Sequence, residues 1–212
     1  MVQEIIEEIM ITTTLLFIIV FLVAISTTYT STVVSHSALS HGFESLFNIL
    51  KTVLSGITDT CLCRDQVSQG EVKLFYPARI AVKMKATPSS PGVVEFALEL
   101  TLRIPVNMIR GGLHDYDVVA KAYCSSLLNK WSESIKSSGL QAEYSCSFRS
   151  WSDGATAYYY LSTSIVVKGC RGDNYDIPGI NEDLRSASMF TLRADYDFSR
   201  GLYTCSLKYE SP

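Results

Sequence analysis

The first 57 residues carry a pattern of apolar and polar positions that predicts one long helix. An apolar run extends from Ile9 to Ile25, broken only by three threonines, and a stretch rich in Ser and Thr follows from Ser26 to Ser40. Gly and Pro are absent from Met1 to His41, so no residue in this part of the chain favours a break in the helix. A continuous helix over these 57 residues would be about 85 Å long, at 1.5 Å per residue.

The second half of this helix carries a single apolar stripe with alternating spacings of four and three residues. The stripe consists of Leu39, Phe43, Leu46, Leu50, Val53 and Ile57. This spacing is typical of a helix that packs on another helix. Side chains of this size contribute about 1.5–3 kcal/mol each when they are fully covered. We therefore expect the helix of a neighbouring subunit to cover the stripe, and the alternative is that the chain's own sheet does so.

The remainder of the chain alternates apolar and polar residues in the manner of antiparallel strands. The strand candidates are a hairpin over Glu71–Lys85 with Pro77 between its arms, Val94–Ile104, Tyr144–Phe148, Ala155–Lys168, Phe190–Phe198 and Tyr203–Tyr209. A second helix is expected from Asp115 to Gly139, with Val119, Ala122, Tyr123, Leu127, Trp131 and Ile135 on its apolar face. Turns are expected at Asp153-Gly154 and at Ser199–Gly201.

The predicted fold class is α+β. A long N-terminal helix, transmembrane and then amphipathic, occupies residues 1–57, and a globular β-rich head occupies residues 58–212. The head is expected to hold an antiparallel sheet of about six strands, with one helix packed across its inner face.

Charge is distributed unevenly along the chain. Residues 1–50 contain no Lys or Arg and four acids, Glu4, Glu7, Glu8 and Glu44, while the net charge of the whole chain is −3. The head is therefore close to neutral, which argues against a protein that neutralises many phosphates, and no nucleic-acid partner is expected.

The apolar run has three interpretations. A secretory signal begins with a basic region, and the first basic residue here is Lys51. A retained membrane anchor or filament core is therefore favoured over a cleaved signal. A buried helix of a soluble protein remains the third alternative, because the run is near the minimum length that spans a bilayer.

Six cysteines lie beyond the apolar run: Cys61, Cys63, Cys124, Cys146, Cys170 and Cys205. An even number behind such a segment favours disulfides in an oxidising compartment, with the head outside the cell. Six cysteines allow 15 complete pairings. Cys146 and Cys205 both lie within predicted strands among apolar neighbours, so they are a candidate pair or two buried thiols.

Candidate catalytic and metal-binding chemistry is sparse. The three histidines are His36, His41 and His114, and no nucleophile elbow, phosphate loop, dinucleotide fingerprint or zinc-protease motif occurs. The acidic stretch 173–183 fits no standard calcium loop and is interpreted as solvated. We expect no enzyme activity, cofactor, metal site or small-molecule substrate.

The N-terminal residues Gln3-Glu4-Ile5-Ile6-Glu7-Glu8-Ile9, followed by the apolar run, resemble the start of the type IV pilin superfamily, in particular archaeal pilin-like and archaellum-associated subunits. The resemblance covers residues 1–57. It implies that an acid near the N-terminus registers one subunit against the next, with Glu4 the closest candidate and Glu7 and Glu8 as rivals. A carboxylate at the edge of an apolar core is costly unless it is paired.

The resemblance implies a structural subunit at the cell membrane or in an extracellular filament, with the head outside. Its expected partners are the membrane and copies of itself or related pilin-like subunits. Two alternatives stay open. One is a single-pass envelope or virion surface protein with a partner-binding head, and the other is a membrane-anchored extracellular enzyme.

Overall fold

The structure is a computed structural model that describes residues 2–109, 116–185, 188–197 and 203–211. Within the first helix, side chains are described for residues 14–25 and from residue 38 onward. The elements are α1 (Val2–Cys61), β1 (Gln66–Val72), β2 (Arg79–Ser90), β3 (Val93–Pro105), a 3-10 turn (Val106–Met108), α2 (Asp117–Lys136), β4 (Gln141–Ser152), β5 (Thr156–Lys168), β6 (Asn174–Asp176), β7 (Ile180–Leu184), β8 (Ser188–Asp197) and β9 (Thr204–Glu210).

The strands form two sheets. The five-stranded sheet has the order β4-β5-β3-β2-β7, and every neighbouring pair in it is antiparallel. The four-stranded sheet has the order β1-β8-β9-β6, in which β6 runs parallel to β9 and the other pairs are antiparallel. Strand β3 buries alternate side chains from Val94 to Ile104, which confirms the alternation seen in the sequence.

The C-terminal part of α1 packs on both sheets. Gly42 faces β3, where an added Cβ would lie 2.8 Å from Leu102 Cδ2. Four turns further along, Gly56 faces β8 and β9, with an added Cβ 3.1 Å from Leu207 Cδ1. The missing side chains let the helix backbone approach one sheet near residue 42 and the other near residue 56.

Disulfides fasten the end of α1 to the two sheets separately. Cys61 bonds to Cys170, which follows β5 of the five-stranded sheet, and Cys63 bonds to Cys205 in β9 of the four-stranded sheet. The Cys-Leu-Cys sequence therefore supplies two half-cystines with different partners. The third disulfide joins Cys124 of α2 to Cys146 of β4, so the candidate pair Cys146–Cys205 is wrong.

Helix α2 lies beside α1 and against β4. Its Trp131 Nε1 donates hydrogen bonds to Leu54 O at 3.1 Å and to Thr58 Oγ1 at 2.9 Å, both in α1. Its buried residues are Ala120, Cys124, Leu128, Ser132 and Ile135. The expected apolar face is therefore partly wrong, because Val119, Ala122 and Tyr123 are exposed while Leu127 and Trp131 are half-buried beside α1. Asp115, the expected first residue, lies outside the described residues.

The predicted fold class is corrected on two counts. The strands divide into two sheets of four and five, where a single sheet of about six was expected, because the two sheets pack on the same helix. Among the side chains that the structure describes, no helix combines the length and apolar character of a membrane crossing, which overturns the expected transmembrane helix. Helix α1 continues to Cys61, and its buried apolar residues from Leu39 to Cys61 belong to the core that it shares with the sheets.

Two further expectations are corrected by strand pairing. The predicted hairpin over Glu71–Lys85 does not form, because β1 pairs with β8 whereas β2 pairs with β3 and β7. The acidic stretch 173–183 contains β6 and β7 rather than a solvated loop throughout. The turn at Asp153-Gly154 is confirmed, with Gly154 at a φ of +92°; the turn at Ser199–Gly201 lies outside the described residues.

We predict that removing one cysteine exposes its partner. In a Cys63→Ser variant that is alkylated in denaturant without reductant, the label should appear on Cys205, since these two are bonded. A Cys124→Ser variant should be labelled on Cys146. Peptide mass spectrometry locates the label. Label on Cys146 in the first variant would contradict this pairing.

A second prediction concerns the packing of α1 in the core. Leu50 is fully buried and the next residue, Lys51, is exposed. Leu50→Ala should lower the free energy of unfolding by about 2–5 kcal/mol, whereas Lys51→Ala should change it by less than about 0.5 kcal/mol. Chemical denaturation under conditions that keep the protein monomeric measures both. Equal, small effects would place Leu50 outside the core of the monomer.

Candidate assembly surface

The most unusual surface of the chain is the apolar segment, which we define as residues 14–25 of α1. Its ten large apolar side chains, Leu15–Val23 and Ile25, are each between 50% and 73% exposed. The segment covers more than three helical turns, so residues on every face of the helix are exposed. A helix that is apolar on all sides is normally surrounded by protein or lipid, and here no described part of the same chain covers it.

The predicted assembly stripe lies elsewhere. Leu39, Leu46, Leu50, Val53 and Ile57 are all at most 3% exposed and belong to the head's core, and Phe43 is partly buried against it. The two sheets and α2 provide the cover that we expected from a neighbouring helix. The interpretation of the stripe as an intermolecular seam is therefore corrected, because the head already buries those side chains.

The acids Glu4, Glu7 and Glu8 lie in the helical part of α1 for which side chains are not described. Their role in registering one subunit against another stays a prediction.

A groove runs between α1 and the start of α2, and we call it the α1/α2 groove. Its volume is about 410 Å³, and its lining is mostly apolar and aromatic. The lining residues are Leu39, Ser40, Phe43, Glu44, Phe47, Asn48 and Lys51 of α1, with Tyr116, Val119, Ala120 and Tyr123 at the start of α2. Among the described residues that line it, Glu44 and Lys51 carry the formal charges, one of each sign, so the groove is suited to an uncharged apolar partner.

Aromatic rings hold the shape of the groove. Phe43 stacks on Tyr116 with ring centroids 5.6 Å apart and meets Tyr159 edge-on at 5.1 Å. Phe47 meets Tyr123 edge-on at 4.5 Å. Such pairs contribute about 0.5–1.5 kcal/mol beyond the area that they bury. The groove is therefore formed by packed rings before any partner arrives.

Tyr159 lies beneath this cluster with its side chain fully buried. Its hydroxyl has no hydrogen-bond partner among the described residues. Burial raises the pKa of Tyr159 to about 12, and the neighbouring Tyr116 and Asp117 contribute in the same direction. The hydroxyl therefore stays neutral across the physiological range.

A second aromatic surface lies on the outer face of the five-stranded sheet. Trp151 of β4 stacks on Tyr158 of β5 with centroids 5.2 Å apart and planes at 6°, and Tyr160 lies 6.3 Å from Trp151. The Tyr158 hydroxyl donates to Asp153 Oδ2 at 2.8 Å, which fixes the ring. Trp151 is 44% exposed, so this patch is accessible to a partner.

The geometry offers little for metal binding. Among the described residues there is no cluster of three or more His, Cys, Asp or Glu side chains that could hold a metal ion. In the acidic stretch 173–183, Asp183 of β7 lies 3.7 Å from Arg79 of β2. This carboxylate is therefore already paired with a cationic side chain.

Comparisons with protein-family models, with curated proteins and with solved structures found no match.

Sequence reasoning found the apolar run but did not place its exposed residues, such as Phe17 and Phe21, among the assembly residues. It also missed the groove, because Val119 and Tyr123 were assigned to the core. One signal was present in the sequence: α2 carries apolar residues over a wider arc than one buried stripe needs. Val119 and Tyr123 belong to the arc that the described residues of the head leave exposed.

We predict that Tyr159→Phe stabilises the head and changes its response to alkali. The change removes a buried hydroxyl without a partner, so the free energy of unfolding at pH 7 should rise by about 1–2 kcal/mol. An unfolded tyrosine loses its proton near pH 10, whereas Tyr159 keeps its proton in the folded state up to a pKa of about 12. Wild-type stability should therefore fall as the pH rises from about 10 to 12, and the variant should lose less.

Denaturation at pH 7 and across pH 9–12 measures both effects. Tyr76→Phe is the matched control, since Tyr76 is 87% exposed, and it should resemble the wild type. A Tyr159→Phe variant that is less stable at pH 7 would show that the hydroxyl makes a stabilising hydrogen bond.

Proposed function

We propose that this protein is a structural subunit that assembles through its N-terminal helix into a pilin-like extracellular filament, with the disulfide-bonded head on the outside. The observation that carries the proposal is the exposure of the whole apolar segment on a helix whose other end is built into the head. Helix α1 thus connects the exposed apolar segment to a head whose core is already formed.

Because the apolar segment is exposed on every face, covering it requires contact with several neighbouring molecules. Each large apolar side chain contributes about 1.5–3 kcal/mol when it leaves water, and ten of them are exposed around the full circumference of the helix. A single partner helix would cover one face and leave the others in water. Repetition of the same helix around a filament axis covers every face, and each copy of the chain brings an identical segment.

The head has the character of a domain outside the cell. All six cysteines are joined in disulfides, and such bonds persist in oxidising environments. Two of the three disulfides fasten the base of α1, so a load on the helix reaches both sheets through covalent bonds. This arrangement suits a subunit that transmits force along an assembly.

The resemblance of residues 1–57 to the type IV pilin superfamily supports the same proposal. That resemblance rests on the acidic start, the apolar run and the continuation of the helix into a β-rich head. In this protein the amphipathic half of the helix is the head's own core, and the apolar half is left for assembly.

A partner-binding head is the second candidate, and the outer aromatic patch favours it. Trp and Tyr are the residues most enriched where binding energy concentrates, and Trp151 and Tyr158 are stacked and accessible. Trp151→Ala would leave self-assembly unchanged and abolish adhesion to a partner surface if this candidate holds.

We predict that charges in the apolar segment prevent assembly and leave the head folded. A Phe17→Glu, Phe21→Glu double variant should remain monomeric where the wild type polymerises, because two carboxylates cannot be buried among apolar side chains without a partner. Electron microscopy and sedimentation velocity measure the assembly. Thermal unfolding of the head, monitored by near-ultraviolet circular dichroism, should be unchanged.

The matched control is Val67→Glu, Val118→Glu, which places the same number of charges on exposed apolar residues of the head. This control should assemble like the wild type. A wild-type protein that stays monomeric in aqueous buffer at every concentration tested would contradict the proposed function, as would filaments formed by the Phe17, Phe21 variant.

A further inference from the structure

The apolar segment and the α1/α2 groove are two apolar surfaces that none of the described residues covers, and they cannot meet within one copy of the chain. Both involve the same continuous helix, α1. The groove begins at Leu39 and the segment ends at Ile25, a separation of about 21 Å at 1.5 Å per residue. A continuous helix cannot fold back on itself over that distance, so any contact between the two surfaces joins two molecules.

We propose that the α1/α2 groove is the seat for the apolar segment of a second copy of this chain. The inference rests on the proposed function and adds to it the surface of the head that receives the helix.

The chemistry of the two surfaces matches. Residues 14–25 contain no charged side chain, and the charged residues in the described lining of the groove, Glu44 and Lys51, are of opposite sign. A peptide or polymer with net charge would find no excess of the opposite sign there. An uncharged apolar helix buries its surface in the groove without stranding a charge.

The dimensions also match. The α1 side of the groove spans Leu39 to Lys51, about 18 Å, and the twelve residues of the apolar segment span about the same length.

The apolar segment carries a ridge that suits an aromatic groove. Phe17 and Phe21 are four residues apart and therefore lie on the same face of the helix, and they are 73% and 65% exposed. The lining of the groove includes three aromatic rings. Tyr123 is exposed, Phe43 is partly buried and Phe47 is buried. Ring-to-ring contacts of this kind add to the area buried.

The contact has a consequence for symmetry. Each copy offers one segment and one groove, which are different surfaces. A chain of such contacts therefore remains open at both ends unless it closes into a ring or two copies exchange segments reciprocally. The open arrangement yields the proposed filament, and the mass of the assembly distinguishes it from a reciprocal pair.

Photo-crosslinking tests the seat directly. The full chain is made with benzoylphenylalanine in place of Phe17, assembled, irradiated, and digested for peptide mass spectrometry. We expect intermolecular crosslinks from residue 17 to peptides that contain Leu39–Lys51 or Tyr116–Tyr123. The same probe in place of Trp151, on the outer sheet face, is the control and should give no crosslink to the groove.

The outcomes separate the two proposals. Polymers whose crosslinks join only apolar segments to each other would overturn the seat and leave the filament intact. Crosslinks to the groove in a species with the mass of a dimer would support the seat and overturn the filament. A monomer without intermolecular crosslinks would overturn both.

Adjacent residues of α2 provide a matched pair of variants. Val119 lines the groove and Val118 does not, and both are more than two-thirds exposed, so neither change should unfold the head. Val119→Glu should reduce crosslinking from residue 17 and raise the concentration required for assembly by about tenfold or more. Val118→Glu should leave both unchanged. Equal effects of the two variants, or none from Val119→Glu, would overturn the seat.

Discussion

The structure depends on the packing of a single helix against two sheets at once. From Ala38 to Cys61, α1 buries Leu46, Ile49, Leu50, Val53 and Ile57 in the core that it shares with both sheets. Gly42 and Gly56 bring its backbone close to each sheet in turn, and disulfides at Cys61 and Cys63 fasten its end to both. In the described part of the chain the two sheets share no strand, and α1 contacts strands of both.

The same helix explains why the chain has an uncovered apolar surface. A continuous helix holds its N-terminal half at a fixed distance from the head, so the head cannot fold over residues 14–25. The free energy of covering those side chains is therefore available to neighbouring molecules. Under the proposed function, the stability of the head and the drive for assembly come from different halves of one element, so a monomer can fold before it assembles.

The sequence predicted local structure better than it predicted pairing. The alternation from Val94 to Ile104 identified β3, and Asp153-Gly154 identified the turn between β4 and β5, since both signals are local. The predicted pairing of β1 with β2 was wrong because β1 pairs with β8, which lies far along the chain, while β2 forms a hairpin with β3 and also pairs with β7. The short strands β6 and β7 were missed because acidic and amide residues are uncommon in strands.

The candidate surface was predicted in part, for a similar reason. Apolar spacing shows which face of a helix is covered, but the spacing from Leu39 to Ile57 is compatible with cover by either a helix or sheets. Helix α2 has two adjacent apolar arcs. One contains the buried Ala120 and Cys124, and the other contains the exposed Val119 and Tyr123. The arc that faces β4 includes Cys124, which is bonded to Cys146 of β4, and the position of Cys146 depends on the whole sheet.

Hydrogen exchange along α1, measured by mass spectrometry in dispersed and assembled protein, tests most directly whether the two halves of the helix serve these separate purposes. The account predicts that residues 38–61 exchange slowly in both states, because the head alone protects them. Residues 14–25 should gain protection only on assembly. Protection of residues 38–61 that appeared only on assembly, or identical exchange of residues 14–25 in the two states, would contradict it.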